Sequence, residues 1–407
     1  MLTLLAPAVS ALQSGPLTPV FERVWQTGRE QVYPGTLESR FSDEVFADLS
    51  RRAAQAATFE ELAHVINPFL SSLGISHTRF YHDRDPDYHF MRALFSTRDP
   101  DSHPIWHIGM QVLESADGYR VREILEGYPA EAAGLRRGDR LRACGEKAFH
   151  AMDCFRDGQS VTLTVERNGR VARIEVRPVF ESPARSYIQA MKNSVRILSE
   201  GGRRIGYLHF WMGAFEENLQ EYDRIIRQDL FLKTDALILD LRGGFGGASL
   251  ERVDPFFPDR STYPVMRGVL RDGSLTPPER WEPRQNPNPY TKPMVVLINE
   301  GVRSGKEMMA FQFKKSGRAV LFGTSTAGMF VAGRMWFAEE REPYMFYLAA
   351  RGALLDGINL EGVGVAPDRV VPYPTDRTLA YDPQLNAALT FLGDRLEQSG
   401  LPVQSGG

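Results

Sequence analysis

Two cysteines in 407 residues, Cys144 and Cys154, leave room for one disulfide and for no cysteine-built metal centre. Their ten-residue spacing permits a bond without fixing it, because the sequence does not place their Cα atoms. No apolar run reaches the roughly 18–20 residues that cross a bilayer. No basic stripe is present either. Lys and Arg number 48 against 51 Asp and Glu, the net charge is −3, and the signs are interspersed, which excludes nucleic acid as a partner. The eight histidines show no ligand spacing with acids, so neither a metal site nor a cofactor is expected. The stretch richest in donors, His82, Asp83, Asp85, Asp87 and His89, has no ligand register and reads as a solvated loop.

What is present is ordinary globular material. Charged residues make up 24% and hydrophobic residues 43%, and the length suggests two or three domains. The first fifteen residues are mostly apolar from Leu2 to Leu12, with small residues at Ala6, Ala8, Ser10 and Ala11. They lack a positive leading region. Residues 1–15 are expected to be a secretory signal that has lost its first few residues. That implies export to the periplasm or cell envelope. If the segment instead packs on the domain, the protein is cytoplasmic.

Residues 16–104 form an N-terminal helical region ending in a His-bearing loop, with apolar residues at helical spacing up to about residue 73. Residues 105–180 are a separate unit of short strands. IWHIGMQVL and GYRVREIL pair across a polar ESAD turn, and a second hairpin turns at Asn168-Gly169. Pro129 near the start and Gly134 just after the end punctuate a short helix between them. From residue 181 to 375 strand and helix patterns alternate, which argues an α/β core with largely parallel strands. Residues 254–292 are proline-rich and read as a surface loop and hairpin fit to roof a cleft. Residues 376–407 are a C-terminal helix and tail.

Two segments of the core carry chemistry. DALILDLRGGFGG (235–247) and PMVVLINEGVRSGKE (293–307) are each an apolar strand that stops at a glycine-rich turn. Such turns deliver backbone N–H groups to a sheet edge where no side chain blocks a reacting carbonyl. Ser304 sits at the second turn, before a helical pattern, beside free N–H donors and a helix dipole. Ser304 to Glu307 also fits a capping box, which needs no catalysis; capping does not explain Gly243, Gly244, Gly246 and Gly247.

Residues Ile108 to Val112, Pro129 to Leu135 and Gly138-Asp139 resemble a PDZ domain, a fold that binds extended peptide ends by strand addition. Taken with Asp240 to Gly247 and Ser304 to Glu307, the chain resembles the C-terminal processing peptidases, or tail-specific serine proteases. The resemblance implies a crotonase/ClpP-like α/β protease core with an inserted PDZ domain. It implies Ser304 as nucleophile and an oxyanion hole from Gly305 with Gly246 or Gly247. Ile108, Gly109 and Met110 would hold the peptide end.

The best-known members use a lysine base where this chain has Met329, and a thioether takes no proton from serine. Lys306 points to another helix face, and Lys314 and Lys315 lie too far along the helix. The chain is therefore more similar to the tricorn-like branch, whose base is a histidine. On that resemblance His77 is the base and Glu361, in the run from Leu360 to Pro367, orients it; His107 is the rival base. The expected activity is hydrolysis of protein or peptide substrates through an acyl-enzyme, with the PDZ domain presenting or gating the substrate and self-association left open. The alternative is an inactive peptide-binding protein that lost the family's lysine.

Overall fold

The computed structural model describes residues 15–115, 117–337 and 343–398. The expected signal segment lies outside these residues but for Gly15. Among the described residues no helix is long and apolar enough to cross a membrane. Two units can be separated, the first comprising residues up to Arg84 with Val269–Leu275 and Val331–Gly352, the second the remainder.

In the first unit three helices, Thr18–Gln31, Asp43–Ala53 and Phe59–Ser72, follow the apolar spacing of the sequence. Ser42 Oγ caps the second by accepting from Val45 N at 3.3 Å. Thr58 does the same for the third through Glu61 N at 3.2 Å, while the Glu61 carboxylate takes Ala57 N at 2.7 Å. Val20, Phe21, Val24 and Trp25 bury against Leu62, Ala63, Ile66 and Leu70. The strand Tyr344–Leu355 pairs antiparallel with Ala332–Phe337, as the sequence suggests, and also with Arg79–His82.

That last strand corrects the reading of the His-bearing stretch as a solvated loop. Phe80 and His82 are buried, and burial lowers the His82 pKa against the opposing charges of Glu60 and Asp83. Beyond it, in the second unit, Pro86–Arg92 is a helix with Asp85 as its cap, accepting from Asp87 N at 3.0 Å. A four-residue strand and a seven-residue helix are shorter than the window over which apolar periodicity is detected.

In the second unit, residues 105–181 build a six-stranded antiparallel sheet in the order Met110–Ser115, Gly118–Ile124, Arg140–Cys144, Val161–Arg167, Arg170–Val176, with the short strand Lys147–Ala148 also paired to Arg140–Cys144. Ile108, Val121, Leu141, Leu163 and Val165 form its own core. Asn168 and Gly169 adopt φ of 50° and 77°, as a two-residue hairpin turn requires. Cys144 and Cys154 are joined as a disulfide, with Cα atoms 5.6 Å apart. The ingoing and outgoing strands of this module, Ile105–His107 and Val179–Glu181, pair with each other.

Six further strands form a second sheet in the order Arg196–Glu200, Arg203–His209, Ala236–Asp240, Met294–Ile298, Val320–Gly323, Arg369–Val370. All neighbours are parallel except the first pair. Ala236–Asp240 and Met294–Ile298 are buried along their whole length, which is why they read as unbroken apolar runs. Their C-terminal ends lie side by side, with Asp240 opposite Leu297, so the two glycine-rich turns emerge together.

Candidate active site

The two turns are tied from the strand ends outward. Asn299 Oδ1 accepts from Gly243 N at 3.2 Å and from Gly301 N at 2.8 Å. A Cβ on Gly301 would lie 2.6 Å from Gly243 Cα, so the backbones pass at a distance only glycine allows. Below them, Arg242 bonds Asp240 and Asp382, both at 2.6 Å, and Gln384 at 2.9 Å; Tyr207 also donates to Asp240. Burial opposes the Asp240 charge, yet Arg242 and His209 hold its carboxyl well below the usual range. Arg242 thus ties the strand end to acids.

Ser304 stands at the start of the helix Gly305–Ser316 with φ 55° and ψ −129°, a conformation strained for a residue with a Cβ. Its N–H goes to Met329 O at 2.9 Å and to the Glu307 carboxylate at 3.1 Å. Glu307 is fully buried and also takes Thr326 Oγ1 at 2.6 Å, Gly328 N at 2.7 Å and Met329 N at 2.9 Å. Burial raises its pKa against the pull of those donors. One carboxylate therefore fastens residues 326–329 to the Ser304 turn. Gly246 lies against the serine: an added Cβ would come within 2.6 Å of Ser304 Cβ and 3.2 Å of its Oγ.

The N–H groups of the first turn divide in a telling way. Gly243 N is held by Asn299, Gly244 N by Gln111 Oε1 at 2.8 Å, and Phe245 N by Trp211 O at 2.9 Å. Among the described residues, those of Gly246, Gly247 and Gly305 donate to no protein acceptor.

The lysines near Ser304 are committed elsewhere. Lys306 is fully buried, its Nζ directed at Gly243 O (2.6 Å) and Trp211 O (3.1 Å), and burial lowers its pKa far below the usual amine range. Lys314 binds Ala366 O at 2.7 Å, and Lys315 binds Asp356. His107, the rival base, has both ring nitrogens engaged. Nδ1 accepts from Gly109 N at 3.0 Å, and Nε2 meets Ser186 Oγ at 3.0 Å. Burial, opposed by Glu181, lowers its pKa to about 4.

Glu361 belongs to the same unit as Ser304 and accepts from Phe330 N at 2.7 Å, one residue beyond the backbone partner of Ser304. His77 belongs to the first unit. It too has a positive φ of 54°, its Nδ1 meets Ser76 Oγ at 2.9 Å, and its ring packs edge-on to Tyr347 at 5.3 Å.

Of the residues expected to hold a peptide end, Ile108 is buried and its carbonyl accepts from Ala130 N at 2.8 Å. Gly109 O accepts from Leu125 N at 3.0 Å, and Met110, half-buried, opens the edge strand of the module. Sequence reasoning does not single out Gln111, Glu126, Glu123 or Arg137, through which the module meets the core. Glu126 bonds His209 Nδ1 at 2.8 Å and Trp211 Nε1 at 2.7 Å; Arg137 bonds Glu123 at 2.6 Å and also Glu300. Nothing in the local sequence marks such long-range partners.

Residues 204–371 match the sequence model of peptidase family S41. The carboxyl-terminal-processing protease of Picosynechococcus sp. is 26% identical over 275 residues, covering 61% of this chain and 59% of that protein. The tricorn protease of Thermoplasma acidophilum is 22% identical, covering 96% of this chain but 36% of its own length. This chain thus spans less than two thirds of either relative. A solved photosystem II D1 C-terminal processing protease is 16% identical with a TM-score of 0.56, covering 93% of this chain and 97% of that one, and shares the fold. The span of the family match contains both glycine-rich turns, Ser304 and Glu361, so the segment that carries the candidate site is the one similar to peptidase family S41 and to the carboxyl-terminal-processing proteases.

Proposed function

We propose that the chain is a serine endopeptidase with Ser304 as nucleophile. The observation that carries this is the strained Ser304 turn set against three unclaimed N–H groups, those of Gly246, Gly247 and Gly305. Donors left open beside a hydroxyl are what an oxyanion needs as the carbonyl becomes tetrahedral. Ser304 Oγ attacks the carbonyl carbon, and the base takes its proton and returns it to the leaving amine. Water then repeats the sequence on the acyl-enzyme.

The base in this reading is His77, with Glu361 fixing its tautomer and stabilising its cation. Support comes by elimination and from strain. Met329 replaces the lysine, Lys306 is spent on carbonyls, His107 is engaged at both nitrogens, and His77 is held in a conformation that non-glycine residues adopt at a cost. Relatives of both the carboxyl-terminal-processing and the tricorn kind match, so the branch rests on these residues.

Residues 105–180 are read as a PDZ domain inserted between the helical region (16–104) and a crotonase/ClpP-like core (181–375). The edge strand beginning at Met110 would accept a peptide by strand addition. The Cys144–Cys154 disulfide supports export to an oxidising compartment. The second reading, an inactive peptide-binding protein, is favoured by Met329.

A fluorophosphonate probe tests the nucleophile directly. The folded wild-type chain should carry one adduct on Ser304, absent from Ser304→Ala. His77→Ala should slow labelling by about a thousandfold or more, since members of a triad act as a unit. An unlabelled, folded wild-type chain would leave the peptide-binding reading; normal labelling of His77→Ala with loss in His107→Ala would move the base.

A further inference from the structure

A lysine is almost never fully buried unless an acid pairs with it. Lys306, the second residue of the helix Gly305–Ser316, is fully buried, and among the described residues no carboxylate lies within ion-pair distance of its Nζ. Three main-chain carbonyls surround it instead, Gly243 O at 2.6 Å, Trp211 O at 3.1 Å and Phe210 O at 3.5 Å. An ammonium has three N–H donors and no acceptor, which matches three carbonyls. A neutral amine has two N–H groups and would turn its lone pair on the third oxygen. Burial and the charges of Arg303 and Arg122 oppose the cation, while Asp240 and Glu123 favour it. Arg122 is itself held on Glu300 O at 3.0 Å.

The three carbonyls belong to two segments that must be set against the helix. Phe210 and Trp211 follow the strand Arg203–His209, and Gly243 opens the first glycine turn. Gly243 O shares its peptide group with Gly244 N, which donates to Gln111 Oε1 at 2.8 Å. A cation on the oxygen makes that N–H a stronger donor. Trp211 O, besides Lys306, takes Phe245 N at 2.9 Å. One side chain thus holds Gly243 directly and Phe245 through a shared acceptor. Gly246 and Gly247 come next in the turn, with N–H groups that donate to no protein acceptor among the described residues.

We infer that Lys306 is a positioning residue for acyl transfer. Its ammonium, seated on the carbonyls of Phe210, Trp211 and Gly243, fixes the glycine turn against the helix that carries Ser304 and gives that turn a buried positive charge. Lys306 itself touches no substrate and moves no proton. The inference rests on the peptidase reading for the use made of the turn, and not for the carbonyl cage. A charge fixed in a water-free site needs no rearrangement when a carbonyl oxygen becomes negative. An apolar side chain of equal length would fill the same space and leave three carbonyls without their donor.

The test uses Lys306→Cys, alkylated in the unfolded state and refolded with the Cys144–Cys154 bond intact. Aminoethylation restores an ammonium at the length of lysine, and propylation gives a neutral side chain of that length. In hydrogen exchange the Gly244 and Phe245 amides should exchange about tenfold faster in the propyl form than in the aminoethyl form. Fluorophosphonate labelling of Ser304 should be about a hundredfold slower in the propyl form. The aminoethyl side chain is a weaker base than lysine, so its labelling should fall away at lower pH than that of the wild type, a shift that space filling does not produce. The inference is overturned if the two alkylated forms agree within about threefold in exchange and in labelling. If only the aminoethyl form refolds, its pH profile decides, and an alkaline limb coincident with that of the wild type overturns the inference. A wild-type chain without an adduct would instead sink the peptidase reading, and the exchange comparison would still decide the cage.

Discussion

At the scale of single residues the site is governed by close approach and by one buried acid. Gly246 has no room for a methyl group, because its Cβ would meet Ser304 Cβ at 2.6 Å and Arg303 O at 2.9 Å. Gly246→Ala should therefore push the serine away from its donors. We expect a loss of about 1–3 kcal/mol in stability from overpacking and a much larger loss in labelling rate, measured by urea unfolding and probe kinetics on the same preparation. Glu307 presents only acceptors to four surrounding donors, the N–H groups of Ser304, Gly328 and Met329 and the Thr326 hydroxyl. In Glu307→Gln an NH2 group would face donors in a buried site. The expected cost is about 3 kcal/mol, seen as a lower urea midpoint with unchanged slope. A variant as stable as the wild type would mean that the 326–329 turn holds itself.

At the scale of elements, legibility follows the reach of the forces. The buried parallel strands, the helix at Gly305 and the Asn168-Gly169 turn are written locally, in apolar runs and turn chemistry, and all are visible in the sequence. The short strand Arg79–His82 is not, because its four residues are ordered by a partner more than 260 positions away. The turn that carries Ser304 is likewise legible as a turn, since the strand before it and the helix after it lie within a few residues. Gln111, Arg122 and Glu126 were not, because their partners are set by how one sheet lies on another. The disulfide stood between these cases: two cysteines allow it, and only the fold brings them together. It closes ten residues of the module, so the loop-entropy relation gives about 3 kcal/mol. Reduction, or Cys154→Ser, should lower the module's unfolding free energy by about that much, followed by urea titration with and without reductant.

At the scale of the molecule's second unit, the module is held to the core by ionisable groups, so their attachment depends on pH. His209 faces Glu126 at 2.8 Å, Asp240 at 3.9 Å and Arg242 O at 2.9 Å. Burial disfavours its cation, but Asp240 and Glu126 outweigh burial and raise its pKa above the usual histidine value. A raised folded pKa contributes stability that is complete below about pH 6.5 and is lost as the pH rises through the folded value. The stability difference between wild type and His209→Gln, measured by urea unfolding, should thus shrink as the pH rises above about 6.5. A constant difference would show that the ring serves by packing against Trp211 alone. The paired strands Ile105–His107 and Val179–Glu181 carry a separate consequence. Because His107 lies opposite Val179, the backbone on either side of the intervening segment is about 5 Å apart. The module is in effect a cassette: its two stubs could be joined by a pair of glycines, and doing so would strip Gly244 N of Gln111 and His209 and Trp211 of Glu126, so the core would lose those three hydrogen bonds.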